Sequence, residues 1–366
     1  MLRKILEQIA PPHLAYDKDP IGLQIGSWSR NVSKILVSLD MNEAIVDEAI
    51  TIGAELIVCH HAPFYKPLSN ILVDTPTGKM IEKLIKNNIS VYVAHTNLDI
   101  VEDGVNDALA NALGIENIEI LEVTKKEKMK KLVVFVPEDT HQQVLQAISD
   151  AGAGQIGNYS HCSFNISGTG TFKPLAGSNP FIGSQGELEK VKEIRIETII
   201  PEGIQAKVVQ NMLNAHPYEE VAYDIYPLEI EGSASGIGRI GSYEQAMQFS
   251  EFLDKVKLVL NLSTIQVAGP SNKLVKKVAV CGGSGSKFIA NAIQQQADVY
   301  ITGDVTYHDA QWAEQQNLTI LNAGHYPTEA IIVPKLTAMI QKRCNDEGCS
   351  IQVIPSIVNT DPFHYM

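Results

Sequence analysis

Cysteine is scarce in this chain and poorly placed for cross-linking. The five that occur in 366 residues (Cys59, Cys162, Cys281, Cys344 and Cys349) are odd in number and scattered, with no C-x-x-C spacing. No disulfide framework is indicated, and a reduced, cytoplasmic protein is the expectation. Long apolar runs are also missing. None approaches the ~20 residues that cross a bilayer, so no membrane partner is expected. The opening residues Met1-Leu-Arg-Lys-Ile-Leu carry two basic groups, but Glu7 and Pro11-Pro12 follow at once and leave no secretory core. Basic charge is in deficit: 29 Lys and Arg stand against 42 Asp and Glu, a net charge of −13. A broad phosphate-binding face needs the opposite balance, so nucleic acid is not an expected partner. The one basic cluster, Lys125, Lys126, Lys128, Lys130 and Lys131, reads as a solvated linker.

What is present is an ordinary globular composition, 45% apolar, in a length that suits two or three domains. Leu2, Ile5, Leu6 and Ile9 lie at helical spacing and predict an amphipathic helix within residues 1–15, stopped by the proline pair. Residues 21–26 read as an irregular or extended segment. Residues 34–40 form a strand, followed by a helix over 43–51 with Asn42 as its cap and Gly53 as its stop. The apolar run Leu56 to Cys59 is a second buried strand, residues 77–87 a helix, and 89–94 a third strand. Strands alternating with helices predict an α/β fold with a largely parallel sheet.

A repeat appears at an offset of 243 residues. Lys34-Ile-Leu-Val-Ser-Leu corresponds to Lys277-Val-Ala-Val-Cys-Gly, and Ala54 to His61 corresponds to Ala297 to Asp304. A second correspondence, at 230, sets His95-x-x-x-Asp99 against His325-x-x-x-Glu329. Between the repeats the order is strand (132–137), helix (141–151), strand (162–167), strand (191–200), helix (205–215), strand (220–226), the βαββαβ pattern of ferredoxin-like units. Residues 168–186, rich in Gly, Ser and Pro, predict a long exposed loop. The expected organisation is two interlinked pseudo-repeat α/β halves, 1–125 and 231–366, with a ferredoxin-like α+β domain, 126–230, inserted between them.

The chemistry gathers where strands end, the usual place for ligands in open α/β sheets. His60 and His61 follow one strand, and the Ala62-Pro63 step provides a turn that would let neighbouring side chains serve one site. With Asp99, His325 and Glu329 they form a candidate ligand set of three imidazoles and two carboxylates. That is enough for two divalent ions if Glu329 bridges them. Zinc is the first expectation, and iron, manganese and cobalt suit the same donors. His325 and Glu329 converge if a helix starts early enough to place i and i+4 on one face. His95 and His308 are candidate general acid/base groups beside the metals, and Asp304 is a candidate for orienting a ligand histidine. Cys281-Gly-Gly-Ser-Gly-Ser286, between a strand and a helix, offers backbone N–H groups that could cradle an anion, although a tight turn explains it equally well.

The motifs Cys-His60-His61-Ala-Pro-Phe, Ala-His95-Thr-Asn-Leu-Asp99, Thr302-Gly303-Asp304 with His308, and Gly324-His325-Tyr-Pro-Thr-Glu329 resemble the Nif-three-like family, known as GTP cyclohydrolase I type 2 homologues. Ala15-Tyr-Asp with Ile21 to Gly26 resembles its N-terminal signature. The middle segment, with His216-Pro-Tyr-Glu-Glu220, resembles the PII-like or CutA-like insertion of longer members. The resemblance implies a dinuclear metal site on the same five residues and a homohexamer made of two trimers. It further implies a metal-dependent hydrolase acting on a nucleotide or small heterocycle. The alternative is a regulatory protein that binds metal or a metabolite, with the insertion as sensor.

Overall fold

The computed structural model describes residues 1–364. They divide into two compact units: Met1–Lys125 together with the chain from Ser235 onward, and Lys126–Ala234. In chain order the strands are β1 (Gly22–Ile25), β2 (Lys34–Ser38), β3 (Leu56–Cys59), β4 (Ser90–Val93), β5 (Glu116–Pro137), β6 (Ser163–Phe172) and β7 (Glu189–Pro201). They continue as β8 (Tyr223–Gln248), β9 (Gln266–Ala268), β10 (Leu274–Ser284), β11 (Val299–Gly303), β12 (Thr319–Asn322) and β13 (Gln352–Pro355). The fold is α/β with two sheet systems.

In the first unit one sheet has the order β1-β4-β3-β2-β13. Its β2, β3 and β4 are parallel, with β1 antiparallel at one edge and β13 parallel at the other. All four residues of β3 are buried, as expected of a strand covered on both faces. The connecting helix Glu43–Ile52 starts where the Asn42 side chain accepts a hydrogen bond from the Ile45 N–H (3.0 Å), and stops at Gly53, whose φ of 69° suits glycine. The second sheet of this unit is built on parallel β10, β11 and β12, with β9 antiparallel beside β12 and β8 antiparallel beside β10. Ile35 faces Leu56 in the first sheet, and Val278 faces Val299 in the second. The same register thus recurs at the repeat offset, and both sets of strand ends become equivalent places to mount side chains.

The two halves of this unit are tied together by a buried ion pair. Arg239 on β8 is 5% exposed. Its guanidinium donates to both carboxylate oxygens of Asp107 (2.8 and 2.7 Å) and to the carbonyls of Gly236 and Gly238. The forked, fully occupied geometry compensates for removing both charges from water.

In the second unit the strand order is β6-β7-β5-β8. β7 runs antiparallel to both neighbours. Helices His141–Asp150 and Gln205–Ala215 cover a core that includes Leu132, Val134, Val136, Val144, Ile196 and Met212.

Several sequence expectations need correction. The first helix ends at Ile9, and Pro12–Leu14 form a separate turn of 3-10 helix. The lysine cluster is not a linker. It lies within β5, where Lys126 pairs with Glu231 (2.6 Å) and Lys130 with Glu202 (2.9 Å). The loop predicted from 168 begins only after Phe172, because Gly168 to Phe172 stay paired with β7. Among the described residues, no helix is long and apolar enough to cross a membrane.

Truncating Asp107 to Ala would strand the Arg239 charge in the interior. The expected loss is about 3–5 kcal/mol of stability, measured by urea unfolding of the purified variant. A loss under about 1 kcal/mol would mean that the pair behaves like an exposed one.

Candidate metal centre

His60 and His61 leave the end of β3 on a bend held against the end of β2. The Leu39 carbonyl accepts from both backbone N–H groups (3.0 and 2.8 Å). The bend turns both rings the same way, with centroids 4.8 Å apart. Asp99 comes from the short helix Thr96–Ile100 after β4, and His325 and Glu329 from the helix His325–Glu329 after β12. That helix begins at His325 itself, so the i,i+4 pair shares a face. His61 Nε2 lies 3.3 Å from His325 Nε2 although the two residues are 264 positions apart.

Each ring is aimed by an acceptor at its other nitrogen. His60 Nδ1 donates to the Ala94 carbonyl (2.8 Å), His61 Nδ1 to Asp40 (2.7 Å), and His325 Nδ1 to Asp304 (2.6 Å). Acceptors at Nδ1 leave Nε2 as the free donor atom, the arrangement that fixes metal-binding imidazoles. His95 follows the same rule, with Nδ1 donating to Asp19 (2.8 Å).

The Nε2 atoms meet oxygens. Glu329 Oε2 is 3.0 Å from His61 Nε2 and 3.1 Å from His325 Nε2. His60 Nε2 is 3.6 Å from Asp99 Oδ1 and 3.9 Å from Glu329 Oε1. His60 is wholly buried, and Glu329 is 4% exposed. His60 Nε2 and Asp99 Oδ1 are buried without a hydrogen-bond partner. Lone pairs facing one another in the dry interior are costly unless a cation lies between them. The donors form three overlapping groups: His60, Asp99 and Glu329; His61, His325 and Glu329; and His60, His61 and His95. Glu329 belongs to two of them. Three imidazoles and two carboxylates therefore fit divalent ions.

Protonation agrees with that pattern. Burial pushes His60 down to about 3, so this ring is neutral and ready to coordinate. Burial also opposes charge on His61 and His325, but their carboxylate partners outweigh it and raise them to about 10 and about 9. Burial would raise Glu329; the adjoining His325 and His61 rings overcome it and hold the carboxyl well below the usual range. Asp99 moves the other way, raised by burial and by the Glu329 charge.

Glu329 also explains the glycine run. A Cβ on Gly283 (φ +62°) would fall 2.0 Å from Glu329 Oε1. The backbone N–H groups expected to cradle an anion are already used: Gly282 donates to Asn106, Gly283 to Thr328 and Gly285 to Thr302. The segment makes room for a carboxylate and does not form a phosphate cradle. His308 is not brought to the cluster. It is exposed on the helix Tyr307–Gln315, and its Nδ1 lies 3.4 Å from Gln311. Asp40 and Asp19 were missed. Asp40, which also accepts from Thr360, carried a signal as the polar residue ending a strand; Asp19 carried none.

The family model of Duf34/NIF3 (NGG1p interacting factor 3) matches residues 1–362. The chain belongs to this family. A GTP cyclohydrolase 1 type 2 homolog of Halalkalibacterium halodurans is 46% identical over 363 residues, covering 99% of this chain and 97% of the relative. The homolog of the same name in Bacillus subtilis is 43% identical with the same coverage. Among solved structures, a Bacillus cereus protein related to NIF3 superposes with a TM-score of 0.94 at 45% identity, covering 100% of this chain and 98% of that one. A Staphylococcus aureus protein gives 0.80 at 30% identity, covering 100% and 97%. Clustered His, Asp and Glu side chains able to chelate divalent metals are thus found in a Duf34/NIF3 family member.

Metal loading must displace protons from His61 and His325. Raised to about 10 and about 9, both carry a proton near pH 8 in the metal-free chain, while a coordinated imidazole is neutral. Loading near pH 8 should release about two protons from these histidines, and the release should fade as pH rises past both values. Calorimetric titration in two buffers of different protonation enthalpy counts them. Identical heats in the two buffers would contradict the assignment.

Proposed function

We propose that this Duf34/NIF3 protein is a dinuclear metal-dependent hydrolase of a small heterocycle or nucleotide, with zinc as the first candidate metal. His60, His61, Asp99, His325 and Glu329 would hold the ions, with Glu329 shared between them. The observation that carries the reading is Glu329, buried between His61 and His325 on one side and facing His60 on the other. Two bound divalent ions would polarise a substrate oxygen and lower the pKa of a water between them.

The chain's own residues supply the rest. Asp40, Asp304 and the Ala94 carbonyl keep the three ligand rings in one tautomer. Asp19 holds His95 by Nδ1, so His95 Nε2 points among the same donors and can accept a proton there and return it to a leaving group. His308 has no comparable position. A cavity of about 580 Å³ opens onto His61 and His325 and is bordered by Asp40, Asp304, Tyr65 and Phe363. Its size suits a small-molecule substrate. Among the described residues no Lys or Arg lines it, so phosphate groups there would have only the metal ions and the histidines to meet, and a small heterocycle with little charge is the better fit.

The alternative, a non-enzymatic metal- or metabolite-binding regulator, draws support from the second unit. Its strand order, β6-β7-β5-β8, is that of a ferredoxin-like domain, and we assign Lys126–Ala234 as an inserted domain of PII-like or CutA-like type. Family resemblance and the preference of soluble chains for closed symmetry support a cytoplasmic homohexamer of two trimers. Nucleic acid and membrane partners have no place in this reading.

Purified protein loaded in turn with zinc, iron, manganese and cobalt should hydrolyse members of a panel of free heterocycles, nucleosides and nucleotides. Glu329→Ala should lose metal and turnover together. His95→Ala should keep metal and lose roughly 10²–10⁴-fold in kcat. Full metal occupancy with no turnover across the panel would favour the regulator.

Light scattering tests the assembly. The mass expected is that of six 40.0 kDa chains. A single-chain mass would refute the ring, and a trimer would leave only the threefold axis.

A further inference from the structure

The second unit holds a cavity of about 610 Å³ that the metal chemistry does not use. Its floor is the sheet face opposite the helices. Leu132, Val134 and Val136 point into the core, so the alternation of β5 sends Phe135 to the other side. There Phe135, Arg195 and Ile166 lie in one cross-strand row, with Glu193 opposite Gly168 in a nearby row. Two glycines open the floor beside Glu193; a Cβ on Gly170 would fall 2.0 Å from its Oε2. The roof is the loop after Phe172. It is pinned at two points, where the Asn179 N–H donates to Glu219 (2.9 Å) and the Gly186 N–H donates to the Pro174 carbonyl (2.8 Å).

The walls are aromatic, and acidic groups outnumber basic ones among them, with Glu193, Glu219 and Glu220 against Lys173 and Arg195. The Tyr218 ring lies 5.7 Å from Phe172 and 6.4 Å from Phe181, both at steep angles, and the Tyr218 hydroxyl donates to Glu193 Oε1 (3.0 Å). Burial and the Glu193 carboxylate hold the Tyr218 phenol far above its ordinary pKa, so it remains a donor. Two cations line the cavity, Lys173 and Arg195; Arg195 is engaged with Glu197 at 2.9 Å and lies 5.8 Å over the Phe135 ring. Among the described residues Glu193 forms no ion pair with Lys, Arg or His. Aromatic rings beside a carboxylate that forms no ion pair make a setting in which ammonium ions bind.

We propose that this cavity is a binding site for an organic ammonium ion with an apolar body. The charged head sits against Glu193 beside the Tyr218 ring, and the body lies on Phe181, Leu175 and Pro174. An anion would meet Glu193, Glu219 and Glu220. A metal ion would find Glu193 beside apolar walls, with Glu219 already accepting from Asn179, too few free oxygens for calcium or magnesium. A neutral ligand would leave the Glu193 charge uncompensated. The site stands independently of the metal centre.

Three probes of similar shape and different charge test this: 2-phenylethylammonium, 2-phenylethanol and 3-phenylpropionate, titrated calorimetrically into the full chain near neutral pH. The ammonium should bind about tenfold or more tighter than the alcohol, and the carboxylate weakest. In Glu193→Gln, checked for folding by circular dichroism, the ammonium should fall to the level of the alcohol. Glu193→Gln leaves the acidic cavity at the metal centre untouched, so ammonium binding there would survive it. Equal binding of the three probes to the unmodified chain overturns the proposal without recourse to any variant. So does failure of the ammonium to bind at millimolar concentration, or undiminished binding to Glu193→Gln.

Discussion

A carboxylate buried at 4% exposure is intolerable unless positive charge surrounds it, and much of this unit is arranged to provide that charge around Glu329. His61 and His325 approach its Oε2 from two halves of the chain, and His60 faces Oε1. The glycines at 282 and 283 exist where the Glu329 side chain needs the space. Asp40 and Asp304 stand behind two of the rings and supply the negative charge that favours a cation in front. Without an ion, protons on His61 and His325 balance the charge; a divalent ion would take over that role.

The repeat explains how one chain brings these groups together. The strands of both sheets pair in the same register, and the residues just past their ends form a common set of mounting positions. The halves do not use the positions alike. By the repeat, Asp304 stands where His61 stands in the first half, and it orients a ligand ring instead of serving as a candidate ligand. Arg239 and Asp107 join the halves in a largely buried pair, which keeps the two sets of strand ends in place.

The parts legible in the sequence were those governed by local rules. Helix Glu43–Ile52 has a cap and a stop that act within a few residues, and β2, β3 and β4 are apolar runs that need no distant partner to be recognised. The five residues Glu329, His325, Asp99, His61 and His60 stood out because each follows a strand. Long-range pairing hid the rest. β5 and β8 alternate charged residues whose partners lie about a hundred positions away, as Lys126 and Glu231 do, so a strand looked like a linker. Asp19 sits in a turn-like stretch with no periodicity, and only the folded chain brings it to His95. His308 shared a motif with Asp304 but lies on the exposed side of its helix, a distinction that spacing alone does not make.

The separation between His61 and His325 has a consequence for how the protein is made. With His61 and His325 264 positions apart, His60, His61 and Asp99 leave the ribosome long before His325 and Glu329 exist. The early half can offer an ion only a partial set of donors, exposed and open to the wrong metal. The full set forms only after the intervening unit has been synthesised and the last sheet has closed its long-range contacts, which are the slow ones to form. An ion held by this set would therefore be a late arrival on a finished scaffold, chosen when the folded protein meets the cell's supply of metals.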